Sequence, residues 1–178
     1  MIILGLDISS SRIGYCLINE NEDLLLVDEI KLKPSQSLEA RADIFKKEME
    51  CIIRSLQQQE VDYVFIEQPF MAFSGGKTTA TTMAKLQRFN GMCSYVVHDL
   101  FGSPAAQLQT NKARGLVGLK IKRGDNTKLK VIEWVSNKYP KEFIVEYTRH
   151  GNPKPGTDDK ADSVVIANAG LKNLQINP

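Results

Sequence analysis

Three apolar runs open the chain, at residues 2–8, 13–19 and 24–32, and each breaks into small or acidic turn residues before the next begins. Connections this short predict a meander of antiparallel strands. The periodicity then changes. Leu38, Ala42, Phe45, Met49, Ile52 and Leu56 recur at steps of three and four, which predicts a helix opened by Pro34 and Ser35 and running to about Gln59. Residues 61–67 return to an apolar run that ends on Glu67, followed by a loop over residues 68–76 with Pro69 and Gly75-Gly76 as breakers. A second long helix is expected from about Lys77 to His98, with Met83, Leu86, Phe89, Cys93 and Val97 on one stripe. Gly91 within it implies close packing against another element, since glycine costs a helix about 1 kcal/mol relative to alanine.

Beyond Pro104 the pattern predicts a short strand at residues 105–108, a short helix at 111–117, and a helix from about Asn126 to Lys138 that Pro140 stops. A short strand at residues 143–147 and a flexible loop at 148–156 come next. A final helix from Thr157 carries Ala161, Val164, Val165 and Leu171. The order of elements implies one mixed α/β sheet with helices on its faces. A chain of 178 residues suits a single domain spanning residues 1–178.

Four acids interrupt this scheme. Asp7 ends an apolar strand and Glu67 ends another, and Asp159 and Asp162, at i and i+3, share a face of the last helix. Asp158 and Asp162 share a face equally well at i and i+4, so spacing alone leaves Asp158 and Asp159 open. Singly, each acid has a bland account: Asp7 bonded into the turn at residues 9–11, Glu67 paired with a lysine, Asp158 or Asp159 placed at a helix start. Collectively they would repel one another and resist ionisation unless a cation sat among them. Oxygen ligands suit hard divalent cations, and two such ions about 4 Å apart support in-line cleavage of a phosphodiester. His98 and His150 stand isolated and offer no zinc site.

Net charge is only +2, but its distribution is uneven. Lys112, Arg114, Lys120, Lys122, Arg123, Lys128 and Lys130 face a single acid, Asp125, within one segment, the asymmetry a nucleic-acid surface produces. The three cysteines, Cys16, Cys51 and Cys93, have no metal-ligand or redox spacing and are expected to be reduced and buried. No apolar run approaches a membrane span and no signal-peptide layout is seen, so a cytoplasmic protein without membrane contact is expected.

Three patches carry a resemblance. Leu4-Gly5-Leu6-Asp7-Ile8-Ser9 with Gly14-Tyr15, then Ile66-Glu67-Gln68-Pro69-Phe70-Met71-Ala72, then Asp159-Lys160-Ala161-Asp162 are similar to the RuvC family of Holliday junction resolvases. The resemblance implies a ribonuclease H-like fold, with three antiparallel strands followed by parallel ones in a five-stranded sheet. It implies a homodimeric endonuclease that cuts four-way DNA junctions, leaving 5′-phosphate and 3′-hydroxyl ends, with Mg²⁺ or Mn²⁺ held by Asp7, Glu67, Asp159 and Asp162, two ions per site. It selects Asp159 over Asp158. It also implies that Phe70 stacks on an unpaired base, that Lys112 lies near the scissile phosphate, and that the Gly91 helix forms the dimer. Phe73, Lys120, Lys122, Arg123 and Lys128 are the further DNA-contact candidates. The stretch between Tyr139 and Gly156 is longer than the compact bacterial pattern, which suggests a divergent member of the sort carried by phages or prophages. Two rivals share features with this reading: sugar kinases and actin-like ATPases, which open on a similar strand and Gly-x-Asp, and ribonucleases H acting on RNA–DNA hybrids.

Overall fold

The first three apolar runs form β1 (Ile2–Ile8), β2 (Arg12–Asn19) and β3 (Leu24–Lys31), paired antiparallel in sequence order. The computed structural model describes residues 1–56, 60–69 and 79–176. From the β3 edge the chain crosses through α1 (Leu38–Ser55) to β4 (Tyr63–Glu67), which lies parallel to β1 with Leu6 opposite Ile66. A second crossover, through α2 (Ala80–Phe101), brings β5 (Ala106–Leu108) parallel to β4. The sheet therefore runs β3-β2-β1-β4-β5, five strands of mixed direction, as the sequence pattern and the resemblance imply. Three helices complete the chain: α3 (Thr110–Leu116), α4 (Thr127–Lys138) and α5 (Thr157–Ile176).

Alternation along the strands divides the core in two. Leu4, Leu6, Ile13, Tyr15 and Leu17 face α1 and α2, where Phe45, Met49, Phe89, Cys93 and Val97 meet them. Ile3, Cys16, Ile18 and Phe65 face the other way, against α4 and α5. Glycine lets α5 sit close to that face. A Cβ on Gly5 would stand 2.8 Å from the Ala167 Cβ, and one on Gly14 would lie inside the Asp159 backbone carbonyl. The backbone of α5 thus rests on β1 and β2 with no side chain between them.

Several expectations are corrected. α1 starts at Leu38, because residues 33–36 close a turn and the Ser37 side chain accepts from the Ala40 N–H as its cap. Its expected end near Gln59, and the expected start of α2 at Lys77, fall outside the described residues; α2 is seen from Ala80, capped by Thr79. Cys51 is exposed, because it lies off the Phe45–Met49–Ile52 stripe, whereas Cys16 and Cys93 are buried; all three are free thiols. Among the described residues none approaches Gly91: a Cβ there would meet no atom within 4 Å, so the close packing expected at this glycine is not made within them. Residues 143–147 form no strand. Phe143 is buried, but only Tyr147 pairs, with Pro153, in an isolated bridge.

Candidate active site

β1 and β4 are neighbours and run the same way, so their C-terminal ends open at one edge of the sheet, where loops and helix termini build sites. Asp7 is two residues past Gly5 and Glu67 two past Phe65, which puts both carboxylates on the face covered by α5. α5 begins over that edge and brings Asp159 and Asp162 to it. Asp7 is not taken up by the turn that follows it. Ser9 closes that turn itself, its N–H and hydroxyl both donating to the Arg12 carbonyl at 2.9 Å. The Arg41 guanidinium holds the same turn from α1, donating to the carbonyls of Ser10 at 2.6 Å and Pro34 at 2.7 Å.

The electrostatics register the crowding of acids. Burial first, then the charges of Glu67, Asp162 and Asp159, push the Asp7 carboxyl well above the usual carboxylate range, and it shares a hydrogen bond with Glu67. Asp162 is pushed up to about 7 by burial and by Glu67, with Arg114 opposing from 3.6 Å. Asp159 is raised by burial and by Asp158, against Lys128 and Arg12. Asp158 behaves differently. Burial would raise it, but its ion pair and hydrogen bond with Lys128 outweigh that and hold it below the ordinary value. Asp158 is thus neutralised from α4, while Asp159 and Asp162 are the α5 acids whose charges reach Asp7.

Glu67 is fixed at both ends. The Thr110 hydroxyl, at the start of α3, donates to its carboxylate, and the Asn90 amide on α2 donates to its backbone carbonyl at 3.3 Å. Neither residue stood out in the sequence, although Asn90 sits at helical spacing with Cys93 and Val97 on an apolar stripe, where a buried amide needs a partner. Arg114 was also passed over as a site residue. Its side chain is 19% exposed, its guanidinium faces Asp162, and its Nε is buried with no hydrogen-bond partner among the described residues. Lys112, two residues earlier on the same helix, points to solvent. Lys120, Lys122 and Arg123 are exposed in the loop between α3 and α4, and Lys128 is exposed but paired with Asp158. Phe70 and Phe73 lie outside the described residues.

The donor set fits a hard divalent cation: carboxylate oxygens from three elements, with Asp7, Asp159 and Asp162 all pushed toward protonation by burial and by the charges of neighbouring acids. In this arrangement no three such side chains among the described residues close into a finished ligand set. Thr110, Arg114 and Lys128 take up oxygens of Glu67, Asp162 and Asp158 instead.

No family model and no curated protein matches the sequence. Among solved structures, Thermus thermophilus RuvC in complex with Holliday junction substrate is similar over 99% of this chain and 96% of its own, at 14% identity and a TM-score of 0.70. Another structure of Thermus thermophilus RuvC gives 99% and 97% coverage, 16% identity and a TM-score of 0.67. The yeast mitochondrial Holliday junction resolvase Ydc2 is similar over 96% of this chain and 77% of its own, at 14% identity and 0.58. The chain therefore has the RuvC-like form of the ribonuclease H fold.

Proposed function

We propose that this chain is a divalent-metal-dependent DNA endonuclease that acts on branched DNA, four-way junctions above all. The observation that carries the reading is the meeting of Asp7, Glu67, Asp159 and Asp162 at one sheet edge. It is supported by the fold shared with resolvases, one of them described on its junction substrate.

Asp7 is the fixed member, because β1 is hydrogen-bonded on both sides. Glu67 is oriented by Thr110 and Asn90, and α5 supplies Asp159 and Asp162. Together these carboxylates would hold one or two Mg²⁺ or Mn²⁺ ions. When bound, the metal activates water for attack on phosphorus and stabilises the departing 3′-oxygen, leaving 5′-phosphate and 3′-hydroxyl ends. The Arg114 guanidinium, which faces Asp162, offsets charge that builds on the phosphoryl group. The exposed Lys112, Lys120, Lys122 and Arg123 bind the sugar–phosphate backbone without reading bases, and Phe70 and Phe73 belong to the segment that enters the branch point. A homodimer, formed through the solvent face of α2 where Gly91 is open and Tyr95 is 68% exposed, would present two sites to two strands. A cytoplasmic location completes the proposal.

The test is cleavage of a labelled four-way junction, matched duplex and RNA–DNA hybrid, each with Mg²⁺ and with EDTA. Junction cutting that needs the metal is expected. Cutting that persists in EDTA, or a hybrid cut efficiently beside an intact junction, would overturn the reading. Asp7→Asn protein is expected to bind the junction without cutting it; full activity in that variant would move the site elsewhere.

A further inference from the structure

The segment between α4 and α5 is longer than the resemblance leads one to expect, and it is built rather than loose. Tyr147 bridges to Pro153, the Thr148 N–H donates to the Asn152 carbonyl at 2.8 Å, and the Lys154 N–H donates to the Glu146 carbonyl at 2.8 Å. Gly151 turns the tip at a φ of 76°, with its N–H bonded to the Thr148 carbonyl. Residues 146–154 are therefore a small hairpin projecting from the α5 end of the site.

Its base is clamped to the site. The Thr157 hydroxyl donates to the Lys154 carbonyl at 2.8 Å, which joins the hairpin directly to the first turn of α5. Gly156, at a φ of 96°, lies so close to the Glu29 carboxylate that any side chain there would strike it. Glu29 in turn binds Arg12 at 2.5 Å, and Arg12 is one of the cations that act on Asp159. The hairpin thus has a defined place relative to Asp159 and Asp162.

Its surface chemistry contrasts with the site. Its one acid, Glu146, pairs with Lys154 at 3.2 Å; from residue 147 to 157 there is no further acid, while Arg149, His150 and Lys154 are all exposed and Tyr147 is 59% exposed. Arg149 donates to the His150 ring at 3.0 Å and has no carboxylate within ion-pair distance among the described residues. A long polyanion lying across such a site is held by cationic surface flanking the acids. The loop between α3 and α4 supplies such surface where it leads into the start of α4, and the hairpin supplies it where it leads into the start of α5.

We propose that the 146–154 hairpin is a DNA-gripping element, in which Arg149 and Lys154 hold phosphates of a duplex arm beside the cleavage point while Tyr147 lies against the sugar edge. The inference rests on the endonuclease reading and names a contact surface for that substrate. It reads the backbone and not the sequence, so its contribution appears as a salt-dependent one.

Fluorescence anisotropy on a labelled four-way junction tests it, in the Asp7→Asn background so that binding is measured without cleavage. Combining Arg149→Ser with Lys154→Ser is expected to weaken binding about tenfold and to lower the slope of log affinity against log salt by about 2. Arg149→Glu alone, which leaves the Lys154–Glu146 pair in place, should weaken binding more than Arg149→Ser. Thermal melting of each variant should match its parent. Unchanged affinity and slope in these variants would overturn the hairpin's role and leave the endonuclease reading standing. Failure of the Asp7→Asn parent to bind junction or duplex, with no cutting by the wild type, would overturn both.

Discussion

α1 and α5 cover opposite faces of one sheet and are attached to it in opposite ways. α1 is held by a stripe of large side chains, Phe45, Met49 and Ile52, and turns Glu39, Lys46 and Cys51 to solvent. α5 is buried along nearly every residue from Ser163 to Leu171 and rests on Gly5 and Gly14 backbone to backbone. Side-chain packing can relax by a few tenths of an ångström when one residue changes, whereas a backbone contact has no rotamer to adjust. The two site acids of the C-terminal half ride on the helix whose backbone contacts leave no side chain to absorb a change.

The largest expected effect falls on α1. Phe45→Ala should lose about 3–5 kcal/mol of stability in urea unfolding, yet cleave junctions near the wild-type rate at temperatures where it stays folded. A matching collapse in the cleavage of folded Phe45→Ala protein would erase the contrast between the helices. Next comes pH, acting on α5. Asp162 rises from its ordinary 3.8 to about 7 on folding. Its stabilising contribution is therefore complete below about pH 4 and lost as pH rises through 7, at most about 4 kcal/mol. Metal-free protein should melt lower at pH 8 than at pH 5, and Asp162→Asn should flatten that dependence; a wild-type profile that rises over this range would contradict the site's electrostatics.

Gly14→Ala is expected to displace the first turn of α5 and cut the cleavage rate by about 100-fold, since an ångström of misplacement at a reacting centre has that scale, while costing about 1–3 kcal/mol of stability. Its discriminating readout is the ratio of the two losses, which should be far greater than in Phe45→Ala. The smallest effect is that of Thr110→Val, which leaves the Glu67 carboxylate without its hydroxyl donor. Cleavage should fall about tenfold, with the half-saturating Mg²⁺ concentration raised. An unchanged metal requirement would assign Thr110 to packing alone.

How much of this was readable beforehand follows the same division. The α1 stripe is written in the spacing of its apolar residues: Ala42, Phe45, Met49 and Ile52 are buried as the spacing implies, Leu38 and Leu56 at its ends are half-buried, and Arg41 is buried beside them. The strand order and the acids at two strand ends were also legible, since an acid ending an apolar run is visible in one dimension. The supports of Glu67 were not. Thr110 and Asn90 are polar residues 43 and 23 positions away from it in sequence; the apolar stripe marks Asn90 as buried, but nothing local names Glu67 as the partner of either. The basic segment holds Lys112 and Arg114 alike and the resemblance points to Lys112, whereas helical phase turns Arg114 toward Asp162. Cys51 misled for a related reason: composition reports what a residue permits, and not whether its position on the helix faces the core.

By itself, the sequence determined the succession of strands and helices, the apolar faces, and the acids at two strand ends and at the start of the last helix, because each depends on residues close together along the chain. Only the tertiary structure decided which acid of the α5 pair is neutralised by Lys128, which cation meets the site, and how rigidly residues 146–154 are joined to it. Those outcomes depend on contacts between segments far apart in sequence, where distance through space sets the energy and spacing along the chain carries no record of it.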